Sequence, residues 1–232
     1  MKKINFRLLI IGAVIALAVI FFWFKDKPSS TVDDNSDQAE ITATFYPLAY
    51  LAEEIGGDLV RVHNITPPGV EPHDFEPSPT DIAKIYNSKL FVLNGGGIDT
   101  WAEKIRPNLE AKHIPILEML FELRDQLPAP GKSDPHLWLD PMIMSREAEL
   151  LANALMRIDP EHTQEYTNNR DRLTSKLAEL DAEYQAGLAN CQLREIVATH
   201  DAFGYLARRY NFKVLHILGL SPEEEPSPKK VA

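Results

Sequence analysis

Apolar and polar positions fall into three textures along the chain. The first is an unbroken apolar run from Leu8 to Phe24, preceded by Lys2, Lys3 and Arg7 and closed by Lys25 and Asp26. As a helix the run would span roughly 25 Å, the low edge for a bilayer core. Its last residues, Phe21-Phe22-Trp23-Phe24, suit a membrane interface. No A-x-A pattern marks a cleavage site and no cysteine follows the run, so residues 1–25 read as an uncleaved membrane anchor, with a cleaved export signal as the alternative. The basic residues ahead of it place the N-terminus in the cytoplasm and the remainder outside. Residues 26–40, rich in Ser, Asp and Lys, read as a flexible tether.

The second texture alternates short β-rich runs with helical periodicity. Strands are expected at Ile41–Phe45, Leu59–Ile65, Leu90–Asn94 and His113–Leu117, with helices at Leu48–Ile55, Pro79–Asn87 and Thr100–Leu109. Pro79 fits a first helical turn, and Thr80 and Asp81 favour a helix start. Strand, helix, strand at this spacing predicts a parallel sheet with right-handed crossovers and helices on both faces. The proline-rich stretch Phe121–Ser133 reads as a loop.

The third texture is helical. Ser145–Arg157 places Ala148, Leu151, Ala152 and Leu155 on one face. Pro160–Leu188 carries a narrow stripe of Tyr166, Leu173, Leu177, Leu180, Tyr184 and Leu188, and at roughly 43 Å it would be longer than one domain needs. The βα pattern then restarts, with strands at Glu195–Thr199 and Phe212–Ile217 around a helix at Ala202–Tyr210. The predicted fold is α/β: two lobes of parallel sheet flanked by helices and joined by one long rigid helix. Residues 41–143 form the first lobe, 144–190 the helical segment and 191–232 the start of the second. That second lobe is expected to be incomplete, because two strands bury too little of a sheet.

Composition narrows the function classes. With 44% hydrophobic and 25% charged residues, 232 residues are ordinary globular material. A net charge of -10 argues against nucleic acid or anionic lipid as the main partner, since both need a basic surface. A single cysteine, Cys191, excludes an internal disulfide framework and any CxxC motif.

Candidate chemistry sits in three loops that follow predicted strands, where open α/β sheets bind ligands. They are Glu71-Pro72-His73-Asp74-Phe75-Glu76-Pro77, Asp134-Pro135-His136-Leu137-Trp138-Leu139-Asp140-Pro141 and Thr199-His200-Asp201-Ala202-Phe203-Gly204-Tyr205. Neutral imidazole suits zinc and related divalent ions, and three histidines with one further donor complete a tetrahedral shell. His73, His136 and His200 are the candidate ligands, Glu71 a candidate fourth. Asp74, Asp134, Asp140 and Asp201 are candidate acceptors that would set the imidazole tautomers. Against this, a loop histidine is ordinarily a surface residue, and carboxylates in such places are commonly caps and turn formers. His63, His113, His162 and His216 are read as structural. Gly95-Gly96-Gly97 reads as a turn, since no GK[ST] follows. Trp101, Trp138, Phe203 and Tyr205 read as packing residues around the cleft.

These loops, together with Thr44-Phe45-Tyr46-Pro47-Leu48, Pro67-Pro68-Gly69-Val70 and Asn94-Gly95-Gly96-Gly97, occur in an order that resembles the zinc and manganese solute receptors of ABC importers (cluster A-I), the zinc receptors in particular. The resemblance implies two α/β lobes on one long helix, a metal in the cleft, and a monomeric extracytoplasmic receptor. Such a receptor passes its metal to a permease and catalyses nothing. His73, His136 and His200 then correspond to the first three ligands. Members similar to manganese receptors carry Glu where His200 stands, so Zn2+ is expected and Mn2+ is the alternative. The chain departs from the pattern in three ways: no late acidic ligand, no histidine within Phe121–Ser133, and no lipid-modified cysteine. Two rival readings use the same residues: a non-binding fragment or adhesin-like surface protein, and a zinc hydrolase with Glu71 or Asp201 as base.

Overall fold

The computed structural model describes residues 38–127 and 134–222. The anchor reading and nearly all of the tether lie outside these residues. Among the described residues no helix is long and apolar enough to cross a membrane.

Four parallel strands form the larger sheet: β1 (Ala39–Ala43), β2 (Val60–Asn64), β3 (Leu90–Leu93) and β4 (Ile116–Glu118), in the order β2-β1-β3-β4. β1 starts at Ala39, so the last tether residues are already strand. Ladders pair Ile41 with Val62 on one side and with Leu90 on the other. The crossovers are helical: α1 (Tyr46–Gly56), α2 (Pro79–Tyr86) and α3 (Trp101–Ala111). α1 puts Leu48, Leu51, Ala52 and Ile55 into the core at 0% exposure and ends where Gly57 turns to a φ of 54°. α2 starts from a reciprocal cap: Ser78 Oγ accepts from Asp81 N at 3.2 Å, and Ser78 N donates to the Asp81 carboxylate at 3.1 Å. β1 leads out to β2 on one side while β3 lies on the other, which makes the carboxyl ends of β1 and β3 the switch point where such sheets take ligands.

Two element readings are corrected. His113 lies outside any strand, in the turn after α3 with a φ of 57°, and β4 begins only at Ile116. The start of the expected Phe121–Ser133 loop is helical: α4 (Met119–Leu123) buries Met119, Leu120 and Leu123. Residues 128–133 lie outside the described part.

α5 (Pro141–Ile158) is four residues longer at its start than the periodicity indicates. Asp140 caps it, accepting from Met142 N at 2.9 Å and Ile143 N at 3.3 Å, and Pro141 supplies the preset first turn. After a 3-10 turn at Pro160–His162 comes α6 (Thr163–Leu188), 26 residues and roughly 39 Å long. Tyr166, Leu173 and Leu177 pack it into the main core. Beyond Leu177 the stripe emerges, with Leu180 40% exposed and Tyr184 stacked on Tyr210 at 5.0 Å.

Tyr210 ends α7 (Gly204–Tyr210), which connects β5 (Glu195–Ala198) to β6 (Lys213–His216). These two strands pair in parallel as a separate sheet, Val197 opposite Leu215. Both side chains are largely exposed.

Candidate metal centre

The loop after β2 delivers the first imidazole. It passes Pro67-Pro68-Gly69 and enters a single 3-10 turn, Pro72–Asp74, that holds His73. Glu71 begins this turn, its carboxylate accepting from His73 N at 3.4 Å. His136 arrives on the segment between the described end of α4's loop and α5, immediately before a 3-10 turn at Leu137–Leu139. His200 stands two residues beyond β5 in a loop closed by Asp201 N donating to Gly219 O at 2.7 Å.

The three rings converge. Their centroids are 5.6 Å apart for His73 and His136, 6.2 Å for His73 and His200, and 5.3 Å for His136 and His200. One nitrogen from each lies within 4.8 Å of the others, the one such group of potential metal ligands among the described residues. The Nε2 atoms of His73 and His136 are buried without any hydrogen-bond partner. Burial of this kind costs free energy unless a ligand arrives to use the lone pairs.

Asp134 determines which nitrogen of His136 is available. Its Oδ1 sits 2.8 Å from Nδ1 and 3.0 Å from the backbone N of the same residue. A carboxylate can only accept, so Nδ1 carries the proton and Nε2 presents a lone pair to the cluster. Burial, reinforced by the neighbouring His136, holds the pKa of both His73 and His200 below the ordinary imidazole value. Both are therefore neutral at pH 7, the form that binds metal.

The cluster lies on a cleft of about 530 Å³ with largely apolar walls that include Phe45, Pro67, Val70, Ile98 and Trp138. Trp138 packs edge-on against Phe45 at 4.8 Å and against the His136 ring at 5.4 Å. Such walls exclude water and strengthen electrostatic attraction to a cation.

The sequence reading did not single out the polar knot beneath. Asp99, buried at the carboxyl ends of β1 and β3, accepts from Thr44 Oγ1 at 2.8 Å, Asn94 N at 2.7 Å and Gly95 N at 2.9 Å. Asn94 Nδ2 in turn donates to Pro135 O at 2.8 Å, tying the His136 segment to β3. Gly96, at a φ of 68°, leaves room for this: a Cβ there would come within 2.7 Å of Leu120 and 3.1 Å of Pro135. The Gly95-Gly96-Gly97 stretch is a turn, as its sequence indicates.

The remaining candidates take other roles. Glu71 lines the cleft but lies outside the three-nitrogen group, its carboxylate turned to the cap. Asp74 makes no hydrogen bond to an imidazole among the described residues. Asp140, expected to orient a histidine, instead caps α5 and pairs with Arg209 Nε at 2.5 Å. Asp201 Oδ1 lies 3.3 Å from His216 Nδ1, an ion-pair distance whose angle makes no hydrogen bond. His63 pairs with Glu40 at 2.6 Å and His162 with Asp159 at 2.8 Å, both away from the cluster.

Known proteins resemble this chain in sequence and in fold. A family model described as zinc-uptake complex component A, periplasmic (ZnuA), matches residues 41–232. The high-affinity zinc uptake system protein ZnuA of Bacillus subtilis is 31% identical over 216 residues, covering 87% of this chain and 68% of that protein. The zinc-binding lipoprotein AdcA of Streptococcus pneumoniae is 31% identical over 219 residues, but the chain spans only 43% of its length. Among solved structures, the laminin-binding protein Lbp of Streptococcus pyogenes superimposes with a TM-score of 0.74 at 34% identity, over 84% of this chain and 73% of that one. The chain belongs to the ZnuA family of periplasmic zinc-uptake components.

Proposed function

We propose that the chain is an extracytoplasmic receptor that captures Zn2+ between His73, His136 and His200 and hands it to the permease of an ATP-driven importer. The observation that carries this reading is the convergence of three imidazole nitrogens within 4.8 Å, two of them buried and without a partner. Zinc is the cargo. Neutral nitrogen donors suit this borderline ion, whereas manganese prefers more oxygen. Names of relatives, a zinc uptake system protein and a zinc-binding lipoprotein, support the same cargo. Capture needs no chemistry beyond ligation, and the hydrolase alternative is set aside. Relatives named as a zinc uptake system protein and a zinc-binding lipoprotein favour a receptor over that alternative, whose candidate base is Glu71 or Asp201. Membrane tethering through Leu8–Phe24 and action as a monomer belong to this proposal, resting on the apolar run and on the resemblance respectively.

Equilibrium dialysis with metal analysis tests it. The chain is expected to retain one zinc and to prefer it over manganese when both are offered. The variant carrying His73→Ala, His136→Ala and His200→Ala is expected to retain none. A parent without zinc, or a triple variant that binds like the parent, overturns the reading.

A further inference from the structure

We infer that α7 is a positioning element that sets the spacing of His136 from His200 and thereby the preference of the site for a small four-coordinate ion. This inference rests on the zinc-receptor reading. α7 begins four residues after His200, so its placement and that of His200 are linked through a short, hydrogen-bonded loop. Its side chains reach the segment that carries His136 at both ends. Tyr205 Oη donates to the Asp134 backbone carbonyl at 3.0 Å, two residues before His136. Arg209 Nε donates to Asp140 at 2.5 Å, four residues after it. Residues four apart lie on one face of a helix, so Tyr205 and Arg209 grip the segment as a pair.

Contact at the near end is close. A Cβ on Gly204 would lie 2.8 Å from Asp134 Oδ2, so the first residue of α7 sits flush against the carboxylate that orients His136. Tyr205 is 2% exposed, which keeps this contact out of water. Arg209 also reaches Asp181 at 3.6 Å, and Tyr210 Oη donates to Asp181 at 2.9 Å, fixing the far end of α7 to α6. The pair of rings held this way, His136 and His200, has the shortest of the three centroid separations, 5.3 Å.

Tetrahedral zinc, with bonds of about 2.0–2.1 Å to imidazole, draws its ligands close together and depends on their spacing. A larger ion that fills its shell with oxygen donors and water depends on it less. Loosening α7 should therefore weaken zinc more than manganese.

Tyr205→Phe removes one hydroxyl and keeps the packing. Its expected effect is a fall of about 10-fold in zinc affinity, the lower range for loss of a group that supports a metal ligand. Manganese affinity and the melting temperature of the metal-free protein should hold, and the intense visible bands of tetrahedral Co2+ should weaken. Tyr86→Phe, which loses a hydroxyl that accepts from Asn108 Nδ2 at 3.2 Å between α2 and α3, is the control and should bind zinc like the parent. If Tyr205→Phe keeps the parent's zinc affinity and Co2+ spectrum, or weakens zinc and manganese equally with a lowered melting temperature, the positioning role is overturned. A parent that takes up no zinc overturns the receptor reading as well.

Discussion

His136 Nδ1 and Asp134 Oδ1 lie 2.8 Å apart, and both side chains are almost wholly withdrawn from solvent. Two residues of sequence separation thus give one imidazole a fixed tautomer and a fixed orientation. Asp134→Ala is expected to lower zinc affinity about 10- to 100-fold. Asp134→Asn keeps an acceptor oxygen for Nδ1–H and should lose less. Competition titration against a chromogenic chelator reads both, and an Asp134→Ala variant with parental affinity would show that this hydrogen bond does not prepare the ligand.

Glu71 and His73 offer a sharper contrast, because they share one turn. The carboxylate of Glu71 accepts a long bond from the backbone of His73 and stays outside the nitrogen cluster, while His73 Nε2 is buried within it. His73→Ala should abolish stoichiometric zinc binding, and Glu71→Gln should keep the parental stoichiometry. Metal analysis after dialysis of the two variants decides it. Loss of zinc from Glu71→Gln would make that carboxylate a ligand after all.

Acid should act on this site in a defined window. His73 and His200 are held below the ordinary imidazole value of 6.5, chiefly by burial and then by the charge that His136 would carry. Zinc affinity should therefore stay level as pH falls toward 6.5 and decline only below it, as protons begin to compete for the two rings. The sign for the metal-free protein follows from linkage. Below 6.5 the unfolded chain takes up protons before the folded one does, so these two histidines lower folding stability as pH falls. Titrations between pH 8 and pH 5, with thermal melts of the metal-free protein, test both; a zinc affinity already falling between pH 8 and pH 7 would contradict the first.

Much of this was legible from residue order, and the exceptions have physical causes. Periodicity located all six described strands to within three residues at either end, because each carries a short run with β-branched apolar or hydroxyl residues. The three histidines could be chosen because each follows a strand in a loop stiffened by proline or glycine. Their convergence was not readable from spacing, since it depends on how α7 is fastened to Asp134 and Asp140. Asp140 was misassigned for a related reason: next to Pro141 it carries both the signature of a ligand loop and that of a helix start, and the helix took it. Gly204 and Asp99 carry no local pattern that announces their roles. One matters for the side chain it lacks, and the other joins two donors of its own loop to a third, Thr44, that is 55 residues away in sequence.

Glu147 is the residue that fits its surroundings least. It stands on the core face of α5 one turn ahead of Leu151, at 0% exposure, and neither carboxylate oxygen has a hydrogen-bond partner. Burial alone pushes its pKa up to about 8 from the ordinary 4.5. Between those two values the folded protein holds a proton that the unfolded chain has released, so stability falls with each pH unit gained. At pH 7 the cost is on the order of 3 kcal/mol, from about 1.4 kcal/mol per unit over the part of the window already crossed. Glu147→Met fills a similar volume without a charge to bury. It should stabilise the protein at pH 7 by roughly that amount more than near pH 3.5, where both states of the parent are protonated. Denaturant unfolding at a series of pH values measures the difference, and a gain that does not grow with pH would mean that the carboxyl group finds a partner in solution.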